Sequence, residues 1–284
     1  LSRISNEDIA DARKVMGDHT VHNLGREGAL ENLLWCIANQ NTNWERPISF
    51  VYEMRKASGV NADRGYTKWE HLMDKDFVNR AAQYTGLPFH RDKRFDPAID
   101  YFGQKNGNWW NDIINADVAK RDKYVQEIDY LGQKTFSFWH LCLGGKNLIA
   151  LDIWIRRSLL EDFGVKELEP YAIGTPRTRR SKKPKMTDHP ELFDHPWPCV
   201  GEIPQVGGRN VMKGLPKNVY IRVEEKARRI FKEDERFLLP NDQVDMALVD
   251  CLLWWKGAHR YGKQDHLFGS GAATFIMPYG KPFN

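Results

Sequence analysis

Two residues in the middle of the chain have the types and setting for chemistry, Lys134 and Asp152. One offers an amine and the other a carboxylate, and they stand eighteen positions apart. A lysine attacks carbon once its amine is neutral, and an aspartate ahead of a helix is held ionised by the helix dipole. Lysine is not the charge that a helix N-terminus favours, so Lys134 at the start of an apolar helix goes against local preference. Such conflicts collect at functional sites. Plainer readings stand beside these. Lys134 is then a solvated first-turn lysine, and Asp152 only a helix cap.

Positioning the two requires the elements of residues 128–157, IDYLGQKTFSFWHLCLGGKNLIALDIWIRR. A helix over 117–128 ends at the turn Leu131-Gly132-Gln133, where Gly132 is free to take a positive φ. Lys134 opens a helix over 134–143, with Phe136, Trp139 and Cys142/Leu143 on one apolar face. Gly144-Gly145 ends it. The short apolar run 148–151 follows, and Asp152 sits where the N-cap of a helix over 153–163 belongs. A glycine turn that opens a helix exposes backbone N–H groups to phosphate, and such a hairpin suits a nucleic-acid backbone without reading its sequence. An ordinary interhelical turn is the alternative.

The stretch resembles the helix-hairpin-helix DNA glycosylase superfamily. Within it, the resemblance is to the bifunctional 8-oxoguanine DNA glycosylase/lyases of the archaeal, thermostable type. That pattern is roughly G-x-G-x-K, an apolar helix, a glycine, a short apolar run, then D-x-x-h-x-R. This chain reads Leu131-Gly132-Gln133-Lys134, Leu143-Gly144, then Leu148 to Arg156, with Tyr130 where the first hairpin glycine belongs. The resemblance implies that Lys134 attacks C1′ of a damaged nucleotide and that Asp152 helps to take its proton and to stabilise positive charge on the sugar. A Schiff base forms, and the strand is cut 3′ to the lesion. The attack needs the neutral amine, which burial or neighbouring cations favour. Gly132, Gln133 and Arg156 are implied DNA contacts.

Other parts of the chain carry the resemblance more loosely. The apolar stretch 32–38 ends in Asn39-Gln40-Asn41-Thr42. Related glycosylases place there a side chain that fills the gap left by a flipped base. Gln40 is the candidate wedge and Asn41 the alternative, against a plain polar helix end. Asp250-Cys251-Leu252-Leu253-Trp254 resembles a D-L-x-h-W segment that lines the base pocket. By that resemblance Trp254 stacks on the base and Asp250 accepts a hydrogen bond from it, or else Trp254 is simply core. Residues 101–110 echo 130–139 and make Lys105 a decoy, but Asn106-Gly107-Asn108 breaks a helix there instead of starting one. Residues 165–214 read as an insertion rich in Pro and Gly, with Arg177, Arg179, Arg180, Lys182, Lys183 and Lys185 uninterrupted by acid. It is either a solvated loop or an arm on DNA phosphates. The chain also runs on past Trp255, where relatives of this branch end.

Composition allows this reading without arguing for it. The 284 residues are 41% apolar and 28% charged, enough for a sizeable core, and the net charge of +4 permits nucleic acid as partner. Cys36, Cys142, Cys199 and Cys251 are well separated, which points to reduced thiols and excludes a familiar zinc spacing. No metal or cofactor is expected. Apolar runs fall short of a membrane span and no signal peptide stands at the start, so an intracellular, cytoplasmic or nucleoid-associated monomer is expected. The expected fold is all-α and two-lobed. Residues 1–60 and 215–284 form one lobe, 61–164 the hairpin lobe, and 165–214 the insertion. The expected function is removal of an oxidised purine, 8-oxoguanine, from DNA. The alternatives are excision of another modified base, and a non-catalytic DNA-binding module of the same fold.

Overall fold

Residues 28–38 have only Glu31 and Asn32 as polar side chains, and in the structure all of them are buried within the helix α2 (Arg26–Ala38). The structure is a computed structural model that describes residues 4–21, 24–40, 45–62, 65–87, 93–174, 209–212 and 214–261. Its order is α1 (Asn6–His19), α2, α3 (Glu45–Ala57), α4 (Trp69–Met73), α5 (Lys75–Tyr84), α6 (Asp96–Gly103), α7 (Trp110–Ile114), α8 (Val118–Glu127), α9 (Gln133–Cys142) and α10 (Ile153–Phe163). The strands β1 (Ala172–Gly174) and β2 (Arg209–Met212) follow, then α11 (Lys217–Phe231) and α12 (Met246–Tyr261). The architecture is all-α as expected, with one short ribbon added. Residues 67–85 read in sequence as one helical stretch, and in the structure they form two helices, α4 and α5. The chain turns at Asp74, whose carboxylate caps α5 by accepting from the Phe77 N–H.

The described residues form two compact units. One contains 18–145, the other 4–17 and 146–261. This differs from the expected division, which joined residues 18–60 to the C-terminal helices. The reason is α2, which is buried over 28–38 and packs against α3, α4, α6 and α9. It is therefore the centre of the hairpin unit.

Around α2, the aromatic residues form a continuous layer. Phe102 lies 4.4 Å from Trp109 and 5.3 Å from Trp139, while Phe136 lies 5.4 Å from Tyr124 and 5.8 Å from Trp139 (ring centroids). Trp139 also donates Nε1–H to the Ala29 carbonyl at 2.9 Å, so α9 is locked to α2 by packing and by a buried hydrogen bond. One buried ion pair belongs to this unit. Glu31 accepts from Arg55 Nη2 at 2.7 Å with one oxygen, and from the Thr67 N–H (2.8 Å) and hydroxyl (2.6 Å) with the other. With these bonds made, the pair fixes where the chain passes from α3 to α4.

In the second unit α10 packs on α12. At Gly257 the two backbones touch, since a Cβ there would lie 2.6 Å from the Trp154 carbonyl oxygen. Lys256 reaches Asp8 at 2.9 Å and ties α1 to α12. β1 and β2 pair antiparallel, Ala172 opposite Met212 and Gly174 opposite Arg209, with a bulge between. This pairing brings the two ends of the expected insertion together. Its cations Arg177, Arg179, Arg180, Lys182, Lys183 and Lys185 lie outside the described residues, as do Asn41, Cys199 and the chain beyond Tyr261. Cys36, Cys142 and Cys251 are buried thiols. No described helix is long and apolar enough to cross a membrane.

Candidate active site

Lys134 is the second residue of α9 and is half-buried. Its Nζ stands 5.4 Å from the centre of the Phe138 ring, which in turn lies 5.6 Å from Trp35 of α2. The amine thus sits at the edge of an aromatic wall that α2 and α9 build. Lys105, the decoy, follows the C-terminus of α6 and stands 4.5 Å over Tyr101. It opens no helix.

The hairpin turn before Lys134 departs from expectation in one respect. Gly132 is the N-cap of α9 with extended backbone, φ −80° and ψ 163°. The left-handed residue is Tyr130, at φ 64°, and the Leu131 N–H closes the turn on the Ile128 carbonyl. A positive φ at this turn position calls for glycine, and a tyrosine there costs about 1–2 kcal/mol. Neighbours hold it there. Gln40 Nε2 donates to the Tyr130 carbonyl at 3.0 Å and to the Thr135 hydroxyl at 3.0 Å, and the Arg94 guanidinium stands 5.5 Å from the tyrosine ring. Gln40, expected as the wedge, therefore braces the hairpin in this structure. Gln133, an expected DNA contact, donates to Asp122 of α8 at 3.3 Å.

The far end of α9 needs two glycines for two reasons. Gly144 has φ 92°. Gly145 lies against the His140 ring, so that a Cβ would fall 2.2 Å from Cε1. His140 is fully buried with Nδ1 on the Ile113 carbonyl at 2.6 Å. Burial, with the Arg121 charge adding to it, pushes its pKa down to about 4 against the opposing hydrogen bond.

In the other unit Asp152 caps α10 as its sequence position implies. Its Oδ1 accepts from the Trp154 and Ile155 N–H groups at 2.8 and 2.9 Å. Arg156, one turn on, is almost buried and donates Nε–H back to the Asp152 carbonyl at 3.2 Å. Burial lowers its pKa, while the charge of Asp152 opposes that.

The segment leading to Asp152 is buried and belongs to no helix or strand of the described residues. Buried backbone groups still need partners, and side chains supply them. The Ile149 N–H goes to Glu224 at 3.1 Å, the Ala150 N–H to Asp250 at 2.6 Å and the Leu151 N–H to the Tyr220 oxygen at 3.0 Å. Tyr220 donates its own hydroxyl to the Ile149 carbonyl at 2.7 Å. The Asp152 N–H turns back to the Ala150 carbonyl. Asp250, expected to accept from a flipped base, accepts here from the Ala150 N–H. Trp254 lies one turn further along α12 and is half-buried.

Sequence reading missed Tyr220 and Glu224. A signal existed, because Glu224 interrupts the otherwise apolar stripe Val219, Tyr220, Val223, Ala227 and Phe231 of α11. A buried glutamate needs a donor, and here the donor is backbone. Lys134, Gly132, Gln133 and Gln40 belong to one unit, and Asp152, Arg156, Asp250 and Trp254 to the other.

These elements have the helix-hairpin-helix DNA glycosylase fold. Among solved structures, the 8-oxoguanine DNA glycosylase of Methanocaldococcus jannaschii matches with a TM-score of 0.53 at 16% identity, over 91% of each chain. The 8-oxoguanine glycosylase/lyase of that organism, in complex with a 15mer DNA containing 8-oxoguanine, matches with 0.50 at 17% identity, over 92% of this chain and 94% of that one. The Thermotoga maritima 8-oxoguanine DNA glycosylase gives 0.44 at 16% identity over 90% of each chain. Likeness at this identity establishes the fold. No family profile matches the chain, and no curated protein does.

Proposed function

We propose that the protein is a DNA base-excision glycosylase and abasic-site lyase that removes 8-oxoguanine. What carries this reading is the place of Lys134, at the start of the helix that follows the hairpin, in a chain with the fold of solved 8-oxoguanine glycosylases. The Lys134 amine attacks C1′ with its lone pair, and the bond from C1′ to the base breaks. The base leaves with that electron pair and gains a proton. The amine gives one proton to Asp152, the C1′–O4′ bond breaks with O4′ taking up a proton, and the sugar opens to a protonated imine. Loss of a proton from C2′ then expels the 3′ phosphate. Asp152, held ionised at the α10 N-terminus, is the carboxylate that takes up the lysine proton and stabilises positive charge on the sugar. DNA is the partner, and the cations of 177–185 are an arm on its phosphates.

A second reading, a glycosylase for another modified base, has one observation in its favour. Asp250 Oδ2 is already engaged by the Ala150 N–H.

Borohydride reduction tests the first reading. The wild-type protein should become covalently trapped on a duplex that carries 8-oxoguanine. Lys134→Gln should abolish trapping and Lys105→Gln should leave it. Trapping that survives Lys134→Gln overturns the assignment. Trapping only on other lesions of a single-lesion panel favours the second reading.

A further inference from the structure

An extended strand at the edge of a sheet takes its geometry from a neighbouring strand. The segment 149–151 takes it from three side chains of two helices. Tyr220 and Glu224 stand at i and i+4 on one face of α11, and Asp250 stands on α12. Tyr220 is the most constrained of the three, because one hydroxyl both accepts from Leu151 and donates to Ile149. The bonds reach the chain immediately before the α10 cap. Residue 152 has no freedom of its own, since its N–H closes a tight turn on Ala150 and its carboxylate is fixed on α10. The same lacing continues upstream, where Arg228 of α11 donates to the Asn147 carbonyl at 2.6 Å and the Met246 N–H of α12 donates to the Lys146 carbonyl at 2.9 Å.

We propose that Tyr220 and Glu224 are positioning residues for the reaction, setting the Asp152 carboxylate through the backbone of 149–151. This rests on the reading of Asp152 as the reacting carboxylate. Neither residue touches DNA in this scheme, and neither exchanges a proton with it. Both act only by where they hold the chain. A misplacement of about 1 Å at a reacting group is enough to cost on the order of 100-fold in rate.

A double-variant cycle tests it. Tyr220→Phe, Asp152→Asn and the two combined are measured for single-turnover excision from an 8-oxoguanine duplex, at saturating protein. Tyr220→Phe should slow excision by about 10- to 100-fold with duplex affinity near wild type, and with a lowered Tm, since two buried backbone groups lose their partner, but a protein still folded at the assay temperature. In the Asp152→Asn background it should slow the residual rate no further, because a residue that acts through Asp152 has nothing left to position. Glu224→Gln keeps an acceptor for the Ile149 N–H and should stay near wild type, whereas Glu224→Met should fall as Tyr220→Phe does.

Several results overturn the proposal. Tyr220→Phe and Glu224→Met could both excise at the wild-type rate while Asp152→Asn is slow. Tyr220→Phe could slow the Asp152→Asn protein by the same factor as wild type, or lose rate only in step with lost folded protein, which makes its role merely structural. An Asp152→Asn protein at wild-type rate removes the underlying reading itself and is recognised by that variant alone. If Tyr220→Phe fails to fold, the Glu224 pair decides, and equal rates for Gln and Met refute it.

Discussion

Replacing Gly145 by alanine should destabilise the hairpin unit, and the structure sets how much. The new Cβ would lie 2.2 Å from Cε1, 2.3 Å from Nε2 and 2.4 Å from Nδ1 of His140. Ordinary contact needs more than an ångström beyond that, so the ring must shift. It is fully buried, and a shift breaks its bond to the Ile113 carbonyl. Overpacking of this kind costs about 1–3 kcal/mol, and a buried hydrogen bond left unmade costs a further ~1–3 kcal/mol. A loss of about 3 kcal/mol is expected, or roughly 6–12 °C in Tm. Urea denaturation measures it. A loss under about 0.5 kcal/mol refutes the steric argument. The double variant Gly145→Ala/His140→Ala should be no less stable than His140→Ala alone, since the collision is gone. The same histidine sets a pH dependence. Its folded pKa, about 4, lies below the ordinary 6.5, so unfolding takes up a proton between those values. Stability from this group is therefore complete above pH ~6.5 and falls by about 1.4 kcal/mol per unit as the pH drops toward ~4, with no further loss below. His140→Gln should flatten that slope, and a wild-type slope retained in His140→Gln would show that another group titrates.

Two further outcomes follow from the sites described. Asp152→Asn keeps an oxygen for the Trp154 and Ile155 N–H groups, so stability should change by less than about 0.5 kcal/mol while Asp152→Ala loses about 1 kcal/mol. Excision should fall by orders of magnitude in both, and a near wild-type rate in Asp152→Asn would make the residue only a cap. Serine at all six cations of 177–185 should reduce the slope of log K against log salt by about 3, if roughly half contact phosphate, and leave single-turnover excision at saturation unchanged. An unchanged slope would rule out the arm.

What the sequence shows about this protein is mostly what depends on neighbours in the chain. The α9 face, the apolar run before Asp152 and the cap itself are local patterns, and each is where its residues imply. The break at Asp74 was hidden because a capping aspartate looks like any charged residue on a helix surface. Tyr130 was hidden for a related reason. Turn glycines advertise a positive φ, and a tyrosine in that conformation is held by Gln40, ninety positions away. Asp250 and Ala150 are a hundred positions apart, so the partner of that carboxylate could not be read from its own helix. The membership of residues 18–60 was equally out of reach, because a helix that is buried all round does not say which neighbours cover it.

The contact at Gly257 bears on how such a site can change over time. Because the α12 backbone rests on the Trp154 carbonyl, two residues past Asp152, the helices that carry Asp152 and Asp250 cannot roll or slide without separating. Any side chain at 257 would act as a wedge under the capped end of α10. Trp254, three positions earlier on α12, is half-buried. Substitutions are therefore accommodated more readily around half-buried Trp254 than at 257, while the carboxylate at the head of α10 stays where it is.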